Sequence, residues 1–178
     1  MKIYTRKGDD GTTGLLFGGR VSKDSPRPAA YGAVDEAQAA IGVARAASSN
    51  ADLEELLIAV GRDLYVVMAE LATADENVDK LVDGETRVVN EMVDRLEAAI
   101  DDTAARFTMP TEFVIPGNST VSAALDLSRT IVRRAERESL RAAGEGSLAV
   151  AYLNRLSDLL WALARWQETA STPARRPG

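Results

Sequence analysis

The clearest structural signal in the chain is DLEELLIAVGRDLYVVMAEL, residues 52–71. Its Leu53, Leu56, Leu57, Val60, Leu64, Val67, Met68 and Leu71 recur at steps of three and four, the period of one face of a helix. Asn50 and Asp52 stand before the pattern as candidate caps, because a short polar side chain can accept from the first free N–H groups. A stripe this continuous has to be covered by neighbouring helices, and the flanking sequence supplies them.

Upstream, Ala33, Ala37, Ala40, Ile41 and Ala44 place small residues on one side of a helix expected over Ala29–Ala47, with Pro28 suited to its first turn. Downstream, polar residues 73–83 interrupt the pattern, and Val88, Val89, Met92, Val93, Leu96 and Ile100 then describe a third amphipathic helix. Pro110 and Pro116 prevent its continuation through residues 106–117, so Glu112-Phe113-Val114-Ile115 reads as extended loop. A fourth helix is expected from Ser119 or Thr120 to Ala143, stopped near Gly144 and Gly146. A fifth is expected over Leu148–Thr169, followed by a disordered tail at residues 171–178. The expected fold is therefore all-α, a five-helix antiparallel bundle. One domain, residues 1–170, would hold an N-terminal loop (1–27) and the bundle (28–170).

Composition limits the chemistry. With 178 residues, 46% of them hydrophobic, the chain can bury one core. It has neither an apolar run long enough to span a membrane nor the apolar stretch of a secretory signal after Met1, so a cytoplasmic setting is expected. A net charge of −6 disfavours nonspecific nucleic acid or anionic membrane binding. The absence of both cysteine and histidine removes disulfides, thiolate or imidazole metal sites, and Ser-His or Cys-His nucleophile pairs. Any catalysis must rely on other groups.

Two segments offer them. Thr5-Arg6-Lys7-Gly8-Asp9-Asp10-Gly11-Thr12-Thr13-Gly14 gathers glycines, hydroxyls and cations in ten residues, with Lys23 nearby. Such a loop is either a plain glycine-rich turn or a phosphate cradle, since glycine lets backbone N–H groups approach an anion. No Walker A pattern occurs. In the fourth helix Arg129, Arg133 and Arg137 follow one another at every fourth residue and form either a solvated face or a polyphosphate grip. Asp35 and Glu36 of the first helix are candidate partners for those arginines. Asn154, Arg155 and Asp158 make a polar patch on the otherwise apolar fifth helix. Trp161 and Trp166 read as core or interface aromatics.

The segments KIYTRKGDDGTTGL with RVSKD behind it, YGAVDEAQAAIG, FVIPGN, SRTIVRRAER and YLNRLSDLLWALAR resemble, in order, the PduO-type ATP:cob(I)alamin adenosyltransferases. The resemblance implies a homotrimer with ATP bound between subunits. Its ATP contacts would be Thr5, Arg6, Lys7, Gly8, Thr13, Gly14 and Lys23 from the loop, joined by Arg133, Arg134, Glu136, Arg137 and Asn154. It pairs Asp35 with Arg133 across the subunit boundary, and makes Phe113 a wall of the cobalamin pocket that keeps a lower axial ligand off cobalt. Arg133, Arg137 and Phe113 would be the catalytic set. Mg2+ would assist through ligands the sequence does not name, and a cobalamin reductase and an adenosylcobalamin-dependent mutase are the implied partners. Asn118 stands where the family usually shows a second glycine, Asp126 and Ser128 where it shows His and Ala, and Ala37 and Gln38 where Leu and Asn are common. Cob(I)alamin is itself a strong nucleophile, so a chain without His or Cys suits this reaction. The alternatives are another ATP-using enzyme such as a kinase, which would release ADP, and a noncatalytic corrinoid- or protein-binding helical module.

Overall fold

The computed structural model describes residues 3–168 and 170–175. It is helical, with α1 at Pro26–Ala47, α2 at Ala51–Leu71, α3 at Asn90–Ala104, α4 at Thr120–Ser139 and α5 at Ala149–Trp166. α1 packs on α2 and α4, and α5 packs on α3 and α4.

Contacts at the helix ends establish the up-and-down course. At one end, the near end, Arg27 of α1 bonds the Leu71 carbonyl at 3.2 Å and Asp75 at 2.6 Å, while Ser147 before α5 bonds Glu70. At the far end Arg45 meets Glu54 at 3.3 Å, Arg106 meets Asp52 at 3.3 Å, and the Ser119 hydroxyl donates to the Gln167 carbonyl at 3.1 Å. Each helix thus runs opposite to the one before it.

The core follows the stripe of α2. Leu53, Leu57, Val60, Leu64, Val67 and Leu71 are buried against Val34 and Ile41 of α1 and Leu153, Leu156, Leu160 and Leu163 of α5. Fully burying such a side chain contributes about 1.5–3 kcal/mol. Ala30, Ala33, Ala37 and Ala44 are buried on α1, which lets α1 and α4 lie close. Asn50 caps α2 by accepting from the Leu53 N–H at 3.2 Å.

Several boundaries differ from expectation for local reasons. α1 starts at Pro26 rather than Ala29, with Ser25 as its N-cap, because proline lacks only an N–H that the first turn does not use. α3 starts at Asn90 because the Val88 N–H is taken by the Glu70 carboxylate at 2.6 Å, in extended backbone before the helix. α4 begins behind a capping box of Ser119 and Ser122. It ends at Ser139, not Ala143, where the Ala142 and Ala143 N–H groups turn back onto the Ser139 carbonyl. Only Gly146 of the two expected glycines takes a left-handed conformation, at φ 77°. α5 ends at Trp166; Thr169, its expected last residue, lies outside the described residues.

Two small antiparallel ribbons were not expected. β1 (Thr12–Gly14) pairs with β2 (Arg20–Ser22), making the N-terminal loop a hairpin. The Leu16 N–H ties it to the Ala72 carbonyl at 2.9 Å, at the near end. β3 (Val114–Ile115) pairs with β4 (Thr172–Pro173) at the far end. The tail expected to be disordered therefore carries a strand, while residues 176–178 of it lie outside the described residues. Residues 75–80 form a 3₁₀ turn. Among the described residues no helix is long and apolar enough to cross a membrane.

Candidate functional site

The hairpin closes around an open cleft of about 520 Å³. Thr5, Arg6, Lys7, Gly8, Thr13, Gly14 and Lys23, all singled out in the sequence, line it. Its shape is held by polar contacts to backbone. The Asp10 carboxylate accepts from the Thr12 N–H at 2.9 Å and the Thr12 hydroxyl at 2.8 Å. These bonds hold its carboxyl below the usual aspartate range. Lys23 donates to the Gly8 carbonyl at 2.7 Å. Arg20, which also lines the cleft, donates to the Lys7 carbonyl at 2.7 Å and to the Thr12 hydroxyl. The sequence reading missed Arg20, whose partners become visible only once the hairpin forms.

On α4 the expected three-arginine stripe divides. Arg133 and Arg137 are exposed, and Arg137 donates to the Arg133 carbonyl at 2.9 Å. Arg134 forms an ion pair with Glu36 of α1, so one of the two candidate carboxylates does meet an arginine of this helix. Glu136 accepts from Asn154 of α5 at 3.0 Å, and Asn154 accepts from Arg155 at 2.7 Å. Arg129 instead faces the far end, paired with Asp126 at 3.1 Å. Asp35 is exposed, and neither it nor Arg133 forms an ion pair among the described residues.

Electrostatically, Arg6, Lys7, Lys23, Arg133 and Arg137 have no carboxylate partner among the described residues, although acidic residues outnumber basic ones in the chain. Unneutralised guanidinium and ammonium groups beside glycine backbone suit a polyphosphate. The two groups remain separate within one chain, for no residue of α4 lines the hairpin cleft.

Phe113 lies at the far end, 90% exposed, beside a second cleft of about 470 Å³. Pro110, Val114, Pro116 and Trp161 give that cleft apolar walls, and Asp126, Arg129 and Arg165 a charged floor. Arg165 is buried, bonded to Asp126 at 2.5 Å and Glu168 at 2.9 Å, with its guanidinium near the Trp161 ring. This buried cluster was also missed, although Arg165 sits in an apolar run. α4 has 20 residues, about 30 Å of helix at 1.5 Å per residue, so Phe113 and Arg137 belong to opposite ends. No group of three or more acidic side chains among the described residues could hold a metal ion.

The sequence model of the family described as Cobalamin adenosyltransferase matches residues 3–167. A corrinoid adenosyltransferase of Citrobacter freundii is 41% identical over 171 residues, 94% of this chain and 96% of that protein. The corrinoid adenosyltransferase PduO of Salmonella typhimurium is 40% identical over 172 residues, 95% of this chain but 50% of that longer protein. The fold is similar, with a TM-score of 0.89 and 28% identity, to a phenylalanine-to-alanine variant of the PduO-type ATP:corrinoid adenosyltransferase from Lactobacillus reuteri complexed with cobalamin and ATP; the match covers 98% of this chain and 100% of that one.

Proposed function

The chain belongs to the cobalamin adenosyltransferase family, and on that premise we propose how its residues share the work of adenosyl transfer. It moves the 5′-deoxyadenosyl group of ATP to the cobalt of cob(I)alamin, giving adenosylcobalamin and triphosphate. The cobalt electron pair forms the bond to C5′, the C5′–O bond breaks, and triphosphate leaves with that bond's electrons. No proton has to be removed and no protein nucleophile is required, as a chain with neither histidine nor cysteine demands.

The observation that carries the assignment of roles is that Arg6, Lys7 and Lys23 in the hairpin cleft and Arg133 and Arg137 on α4 have no carboxylate partner among the described residues. Negative charge grows on the triphosphate as the bond breaks, and preorganised donors aimed at that charge lower the barrier. Arg6, Lys7, Lys23 and the backbone around Gly8 and Gly14 hold the phosphates, with Thr5 and Thr13 adding hydroxyls. Arg133 and Arg137 complete the grip, supported by Arg134, Glu136 and Asn154. The two halves meet when the hairpin of one subunit faces α4 of the next in a homotrimer, with Asp35 and Arg133 pairing across that boundary. Phe113 walls the corrin pocket, offering cobalt no donor atom and so favouring loss of the lower axial ligand. Mg2+ would arrive on the polyphosphate with water as its other ligands, which requires no cluster of protein carboxylates. A cytoplasmic setting, with a reductase supplying electrons and a mutase receiving the product, fits a substrate that must be kept reduced.

The test is incubation of the purified chain with ATP, Mg2+, cobalamin and a strong reductant. Conversion of the corrin spectrum to the light-sensitive adenosyl form, with an equal amount of triphosphate, is expected. Release of ADP, or binding without any adenosyl product, would overturn it.

A further inference from the structure

The segment carrying Phe113 has little hold on the bundle. From Pro110 to Asn118 no residue is buried. A chain so exposed gains almost nothing from the core to offset the entropy of being ordered. Its order comes from the C-terminal tail. Val114 pairs with Pro173 and Ile115 with Thr172, and the Ala174 N–H donates to the Phe113 carbonyl itself at 2.7 Å. Asn118 adds two side-chain bonds, Nδ2 donating to the Ala170 carbonyl at 2.6 Å and Oδ1 accepting from the Thr172 hydroxyl at 3.0 Å. Among the described residues these are the contacts by which hydrogen bonds tie residues 110–118 to the rest of the chain.

The tail is anchored in turn. Glu168 accepts from buried Arg165 at 2.9 Å and from the Ser171 hydroxyl at 3.2 Å. Arg165 is bonded to Asp126, on the floor of the cleft beside Phe113. A line of polar contacts therefore runs from the core of α5, through Glu168, Ser171 and residues 172–174, to the backbone of Phe113.

We propose that residues 170–175 are a brace that sets the position of Phe113, with Asn118 as the positioning residue that locks the brace to the loop. The proposal rests on the reading of Phe113 as the corrin wall. A phenyl ring excludes an axial ligand only while it is held in place, and Phe113 has no side-chain burial of its own to hold it. Gly117, at φ 117°, supplies the turn that a side chain would strain. Asn118 follows it with a donor and an acceptor that a glycine would lack.

Asn118→Gly, and a chain ending at residue 169, are compared with the unmodified protein. The expected result is a rise of about tenfold in KM for cobalamin, as fits loss of one or two hydrogen bonds, with KM for ATP and the melting temperature of Asn118→Gly unchanged. Bound cob(II)alamin should keep its lower axial ligand in a larger fraction of molecules, read from its EPR spectrum. In the unliganded protein, the Ala174 amide should exchange about tenfold faster in Asn118→Gly. Thr172→Val, which removes one of the two bonds, should shift each reading the same way by less. Unchanged corrin constants in the truncated chain, or equal shifts for ATP and cobalamin, would overturn the brace. Failure of the unmodified chain to make adenosylcobalamin would overturn the reading of Phe113, while amide exchange still decides whether the tail holds the loop.

Discussion

At Gly8 a Cβ would stand 2.9 Å from the Lys23 ammonium and 3.1 Å from the Thr12 carbonyl, so any side chain there would push Lys23 off the Gly8 carbonyl and crowd the hairpin backbone. Lys7 and Gly8 were visible in the sequence because residue type alone suggests their chemistry. Arg20 was not, since its bonds reach Lys7 and Thr12 across a turn that no local pattern announces. Arg137 offers a clean separation of chemistry from stability, for its side chain is exposed and, among the described residues, bonds only a carbonyl of its own helix. Arg137→Ala should raise KM for ATP about tenfold or more, the scale of a lost charge-assisted bond, and lower kcat; calorimetry should show an unchanged melting temperature. Tyr152 gives the opposite case. It is fully buried and donates to Asp63 at 3.2 Å, and burial, then the Asp63 charge, raises its phenol well above the usual value of about 10. The folded state therefore favours the neutral phenol. Its contribution is complete below pH about 10 and is lost as pH rises toward the raised folded value. Urea midpoints should fall through that alkaline range, and Tyr152→Phe should flatten the fall.

At the level of elements, α2 was the easiest to read because its stripe and its cap agree. Asn50→Ala should lower stability by about 1 kcal/mol, seen as an earlier urea midpoint at constant slope. The other helices were found as readily, and their ends less so. The start of α3 depends on Glu70, far from it in sequence, seizing the Val88 N–H. The start of α1 depends on a proline that forbids helix in most positions and favours it in the first turn. The two ribbons could not be read at all. Strands of three and two residues show no alternation to detect, and α4 and α5 separate β3 from β4 along the chain. The candidate site was legible to the same degree: the residues that line the hairpin cleft could be named by type, whereas the Arg165 cluster and the tail contacts exist only through tertiary packing.

For the whole molecule, the alternating course of the helices places the hairpin at the near end and Phe113 at the far end. Asp35 and Arg133 stand exposed between them on α1 and α4. In the proposed trimer, reversing either charge alone should weaken assembly about tenfold or more, as when one partner of an interfacial pair is lost. Combining Asp35→Arg with Arg133→Asp should recover much of the loss, followed by sedimentation. The separation of the hairpin cleft from the arginines of α4 also has a genetic reading. In the proposed trimer, one allele bearing Lys7→Ala and another bearing Arg137→Ala would each spoil every interface of their own assemblies. Co-expressed, they mix, and by chance about a quarter of the interfaces in a cyclic trimer unite an intact hairpin with an intact α4. Two crippled alleles should therefore complement one another, whereas halves drawn from the same polypeptide would leave the mixture as inactive as its parents.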